Sequence, residues 1–109
     1  MGKTYLGEFE ELVLTIVMIL KDEAYGNSIV KAIKEYQDRT VNLSAVHVTL
    51  YRLEEKGYVN SDMRGATQER GGRRKRYFQV TSSGVALLKE MKDARVQLWN
   101  MIPQLKFTL

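Results

Sequence analysis

Three short helical patterns, two strand-like segments around a basic, glycine-containing stretch, and one long final helix predict a mainly α (α+β) fold. The architecture these elements spell is a winged helix-turn-helix with a two-stranded β-hairpin wing and one long C-terminal helix. At 109 residues the chain suits a single unit that buries roughly two-thirds of the surface its unfolded form exposes. Its one proline is Pro103, and no repeat or low-complexity tract divides it.

The first helix is read from Phe9 to Leu20, where Phe9, Leu12, Val13, Ile16, Val17, Ile19 and Leu20 recur at spacings of three and four. Leu14 and Met18 fill its other side, so the helix is expected to be covered nearly all round, in part by a second subunit. After the polar break from Lys21 to Asn27, Ile29, Val30, Ile33 and Tyr36 fall on one face of a second helix. That helix stops in Gln37-Asp38-Arg39-Thr40. Ser44 reads as the N-cap of a third helix, whose core stripe is Val46, Leu50 and Leu53 and whose end is Gly57.

Beyond Gly57 the period changes. Residues 58–64 and 76–81 mix aromatic and β-branched side chains with polar ones, as half-buried strands do, and flank a basic loop from Gly65 to Lys75. Thr81 can cap a fourth helix running from Ser82 to about Met101, where Pro103 ends it. Leu87, Met91, Ala94, Leu98 and Met101 step by four, three, four and three along it, a heptad stripe suited to pairing with another helix. Two heptads are short for a dimer, so Phe9, Leu12 and Ile16 of the first helix are expected to share the interface with Leu87, Met91, Ala94, Leu98 and Met101.

The net charge of +4 is concentrated. Residues 64–76 carry six basic side chains against Glu69, whereas the rest of the chain carries 11 basic against 12 acidic. That segment is where a polyanion is attracted. Other classes fare poorly. With no cysteine and a single histidine, His47, neither a thiolate nucleophile nor a metal-ligand cluster can be assembled, and no carboxylate pair is placed for acid-base work. No enzyme, cofactor or metal site is expected. The longest apolar run is too short to cross a bilayer and no secretory signal is read, so the protein is expected to be soluble and cytoplasmic.

Projected at 100° per residue, the third helix turns Ser44, Val48, Tyr51, Arg52 and Glu55 outward, with Ala45 and His47 on the flanks and Thr49 nearer the core. Recognition helices read bases mainly from their N-terminal part. The expected DNA contacts are therefore Ser44, Ala45, His47, Val48, Thr49, Tyr51 and Arg52 on the helix, with Arg70, Arg73, Arg74, Lys75 and Arg76 on the wing. Arg52 suits guanine or phosphate and Ala45 and Val48 suit a thymine methyl, while the wing cations supply affinity through phosphates. By role the chain divides into residues 1–81, a DNA-binding winged helix-turn-helix, and residues 82–109, a dimerisation helix and tail.

Several segments carry a family resemblance: Leu6-Gly7-Glu8-Phe9-Glu10-Glu11-Leu12-Val13-Leu14, Ala24-Tyr25-Gly26, Ala45-Val46 and Thr49-Leu50-Tyr51-Arg52-Leu53-Glu54-Glu55-Lys56-Gly57. Gly71-Gly72-Arg73-Arg74-Lys75-Arg76-Tyr77-Phe78 and Thr81-Ser82-Ser83-Gly84 follow in the same order. In register from Leu6 to Gly84, the chain resembles the PadR family of transcriptional regulators, in its short form with a single dimerisation helix. The resemblance implies a homodimeric winged helix-turn-helix, usually a repressor, whose C-terminal helix packs on the partner. His47 stands where such proteins usually carry tyrosine.

Trp99, the only tryptophan, lies one residue from the heptad stripe. Two such indoles across a two-fold axis can stack a flat aromatic effector, with Met91, Val96 and Phe107 as walls, or can simply fill the interface. Some short PadR-like regulators use that interface for aromatic ligands. The expected partners are thus a second copy of the chain, a roughly palindromic DNA duplex and an aromatic small molecule. The alternative is a winged-helix protein-protein interaction module without specific DNA binding.

Overall fold

Glu8, Glu10 and Glu11 crowd the first turn of helix α1 (Glu8–Leu20), where carboxylates suit the positive end of the helix dipole, and Glu10 accepts the Gly7 N–H across the cap. The computed structural model describes residues 5–65 and 74–103. A 3-10 turn, Lys21–Glu23, leads to α2 (Gly26–Gln37), which opens with the Ser28 hydroxyl accepting the Tyr25 N–H at 2.9 Å. It closes with Asp38 in the left-handed region, φ 49°. α3 spans Leu43–Glu55, and β1 (Val59–Arg64) and β2 (Lys75–Val80) form the hairpin before α4 (Ser82–Met101).

The hairpin is antiparallel, from Val59 opposite Val80 to Arg64 opposite Lys75. Tyr25 bridges Tyr77 on the free side of β2, and the Phe78 N–H donates to the Ala24 carbonyl at 2.8 Å. The α1–α2 connection therefore covers the edge of β2 with backbone hydrogen bonds. Val13, Leu14 and Val17 of α1, Ile29 and Ile33 of α2, and Val46, Leu50 and Leu53 of α3 meet beneath Val59 and Phe78. Each such buried side chain stabilises the fold by about 1.5–3 kcal/mol before conformational entropy is subtracted.

The first turn of α4 is held tightly against the hairpin. Thr81 Oγ1 accepts the Gly84 N–H at 3.1 Å and donates to the Gly57 carbonyl at 2.7 Å. A Cβ on Gly84 would stand 2.4 Å from the Tyr58 carbonyl oxygen, so only glycine lets the helix start this close. Leu87 and Leu88 pack on the core, Met91 is buried in it, and Arg95 makes a bidentate pair with Glu11 of α1. Past that pair α4 leaves the body: Leu98, Trp99 and Met101 are 65%, 72% and 70% exposed. The radius of gyration, 17.0 Å, exceeds the roughly 13 Å of a compact chain of this length.

Several expectations need correction. On the single chain Met18 and Ile19 of α1 are exposed, whereas Ile16, expected at the dimer interface, is only 2% exposed because the chain's own core takes it. Met91 likewise, at 3% exposed, belongs to that core and is open neither to a partner nor to a ligand. Tyr36, placed on the buried face of α2, is exposed, and Ala32 takes the inward position. α3 begins two residues before its expected cap would allow: Asn42 caps it, accepting the Ser44 N–H at 2.7 Å.

Candidate nucleic-acid interface

With Val46, Leu50 and Leu53 in the core, the helical repeat turns Ser44, Ala45, Val48, Tyr51 and Arg52 to the surface, and all five are exposed. This is an unbroken outward strip along the first ten residues of α3. Thr49 is corrected: at 6% exposed it points into the core, because its angle on the wheel lies beside Leu53 and Val46. His47 is half-buried. Its ring fills the crossing of α2 and α3, where a Cβ on Gly26 would come within 2.8 Å of it, and it stacks on Tyr51 with ring centroids 6.3 Å apart. Its Nδ1 is buried without a hydrogen-bond partner among the described residues.

The base of the wing is built on two faces. On the outer face, Lys75 Nζ lies 4.3 Å from the Tyr25 ring centroid, Tyr25 meets Tyr77 edge-on at 5.3 Å, and the Arg64 guanidinium lies 4.4 Å over Tyr77. Each cation–aromatic contact is worth about 0.5–1 kcal/mol at an exposed site. On the face toward α3, Arg76 Nη1 donates to Ser61 Oγ at 2.9 Å, and Ser61 Oγ donates to Glu54 Oε2 at 2.7 Å. Arg74, Lys75 and Arg76 are exposed. Arg70 and Arg73 lie outside the described residues.

Helix and wing meet in one cleft of about 370 Å³, lined by Tyr25, Gly26, Asn27, His47, Arg74, Lys75 and Arg76. The α2 N-terminus opens into it, adding the positive end of a 12-residue helix to three basic side chains. The geometry thus unites Arg74, Lys75 and Arg76 with His47 and continues onto the exposed strip of α3. Tyr25, Gly26 and Asn27 were missed as site residues; the Ala24-Tyr25-Gly26 motif marks them, but nothing in the spacing assigns them a role. Ion pairs elsewhere hold the body together: Lys56, 2.9 Å away, keeps the Glu10 carboxyl below its ordinary range, and Arg39 does the same for Glu8.

The expected ligand and dimer residues divide by position along α4. Val96 and Trp99 are exposed together with Leu98 and Met101, whereas Phe9, Leu12 and Leu87 are half-buried on the protomer core and Ala94 is half-buried. Phe107 lies outside the described residues. Among the described residues no helix is long and apolar enough to cross a membrane, and no group of three or more metal-ligating side chains converges.

A family model described as the transcriptional regulator PadR-like family matches residues 14–90. A PadR-like transcription factor from Bacteroides fragilis is 22% identical, with 86% of this chain and 85% of that chain covered at a TM-score of 0.72. A PadR family transcription regulator from Clostridium difficile R20291 is 26% identical over 88% of this chain and 95% of that chain, at a TM-score of 0.70. A PadR-like transcriptional regulator from Bacillus cereus is 17% identical over 86% of each chain, at a TM-score of 0.67. No curated protein matches the sequence. Since the family match spans most of the chain and the fold is the winged helix that these structures share, the chain belongs to the PadR family of transcriptional regulators, a DNA-binding regulator and not an enzyme.

Proposed function

We propose that the chain acts in the cytoplasm as a homodimeric repressor that binds a roughly palindromic operator. The observation that carries this reading is the shared cleft of α3, the α2 N-terminus and the wing base. Such a face sets α3 in a major groove while Arg74 and Lys75, with Arg70 and Arg73 of the same basic run in the sequence, take phosphates. Ser44, Ala45, Val48, Tyr51 and Arg52 are the side chains positioned to meet bases or the backbone beside them, and half-buried His47 lines the cleft. Two-fold symmetry then places two α3 helices about 34 Å apart, on one side of the duplex.

The dimer reading rests on the exposed end of α4. Leu98, Trp99 and Met101 are large apolar side chains with little of the chain beneath them; Leu98 and Met101 continue the heptad stripe and Trp99 flanks it. Residues 1–81 thus meet DNA and residues 82–109 pair protomers. We infer also that a flat aromatic effector stacks on Trp99, beside Val96, and lowers operator affinity by favouring a dimer arrangement with the wrong α3 spacing. Titrating aromatic compounds while following Trp99 emission checks this; a flat response across the series leaves Trp99 as interface packing alone.

Gel mobility shift on the DNA immediately upstream of the chain's own coding region, with excess nonspecific polyanion, tests the main reading. A retarded complex that survives the competitor, and transcription from that region that rises when the protein is removed, are expected. Binding that the competitor abolishes at every salt concentration contradicts it.

A further inference from the structure

Arg76 stands in the basic run, but its surroundings differ from those of its neighbours. Arg74 is exposed just before β2 begins, and Lys75 lies on the outer face over Tyr25. Arg76 shares the opposite face with buried Phe78, two residues on, and with Ser61 and Met63 across the hairpin. There its guanidinium donates to the Ser61 hydroxyl at 2.9 Å, and that same hydroxyl donates to the Glu54 carboxylate at 2.7 Å. One hydroxyl group thus accepts from a cation and donates to an anion, which uses its proton and a lone pair in the favourable sense at both ends.

Glu54 lies on α3, two positions beyond Arg52, and Ser61 and Arg76 lie on the two strands of the wing. We propose that Arg76 is a positioning residue that sets the wing against the recognition helix through Ser61 and Glu54, not a phosphate contact. This rests on the DNA-binding reading of the shared face and refines which of its cations touch DNA. The Tyr25–Tyr77 bridge and the Phe78 N–H hold the hairpin along one edge, and without a tie on the face toward α3 a small pivot displaces the phosphate-binding side chains from the groove that α3 has selected. The relay ties the hairpin three residues above its root at Tyr58, on the face opposite the Tyr25–Tyr77 contact. Wing and helix then reach DNA in one fixed relation.

The test separates a strut from a phosphate contact by the salt dependence of binding. A side chain that neutralises a phosphate changes the slope of log K against log salt by about 1 when it is removed. We expect Arg76→Ala and Ser61→Ala each to weaken binding to the upstream duplex by roughly 3- to 30-fold, with the double variant no worse than either alone and the slope unchanged in all three. Ser61→Thr, which keeps the hydroxyl, should restore binding, and Arg74→Ala should flatten the slope. A slope lowered by about 1 in Arg76→Ala, or full binding by Ser61→Ala, overturns the proposal. A double-mutant cycle on the unfolding of the free protein keeps this separate from the DNA reading. Coupling between positions 61 and 76 there, with no duplex bound by the wild type, would reject the operator and leave the strut, whereas additive effects would reject the strut itself.

Discussion

The two halves of α4 obey the same apolar spacing and meet opposite fates. From Ser82 to Arg95 the helix is locked to the body by the Thr81 cap, the close approach at Gly84, buried Met91 and the Arg95–Glu11 pair. From Val96 onward the same kind of stripe stands in solvent. The near half is therefore part of the chain's own stability, and the far half is the exposed surface that the proposed dimer would bury. A heptad pattern states that a helix face is to be covered; it does not state by which chain.

The largest expected effect lies in the body. Phe78→Ala removes the ring that closes the core under the hairpin and should cost about 3–5 kcal/mol in denaturant unfolding, independently of protein concentration. Trp99→Ala should leave the protomer's own unfolding nearly unchanged and weaken the dimer by about 2 kcal/mol, roughly 30-fold, in sedimentation equilibrium. Gly84→Ala probes the junction between the halves. Its Cβ meets backbone that cannot swing aside, so a loss of about 1.5 kcal/mol in unfolding free energy is expected. The smallest effect is electrostatic. Glu10, paired with Lys56 across α1 and α3, has its folded pKa below the ordinary 4.5. Its contribution is therefore present above pH 4.5 and is lost as pH falls through the folded pKa. Glu10→Gln should cost about 0.5 kcal/mol at neutral pH, and the gap from wild type should close in acid.

Element order and most boundaries were legible because local signals agreed with one another. α4 runs over the predicted Ser82–Met101, since Thr81 supplies the cap and Pro103 the stop. The start of α3 was misread because Asn42 and Ser44 are both good caps two residues apart, and the choice depends on backbone geometry that spacing does not encode. Thr49 sat at the edge of the helical wheel, where a few degrees decide between core and rim. Ile16 and Met91 were given to the partner because periodicity cannot tell an inner neighbour from an outer one. The contacts that build the site were beyond sequence reasoning altogether. The edge-on contact of Tyr25 with Tyr77, the His47 ring over Gly26 and the Glu54–Ser61–Arg76 relay join residues brought together only by the hairpin and the helix crossing.

Hydroxyl-radical footprinting of the protein on its own upstream DNA tests the paired recognition face most directly. Two protected patches on one side of the duplex, centred one helical turn or a whole multiple of it apart, about 34 Å per turn, are predicted. A single patch, or two on opposite sides of the duplex, would contradict it.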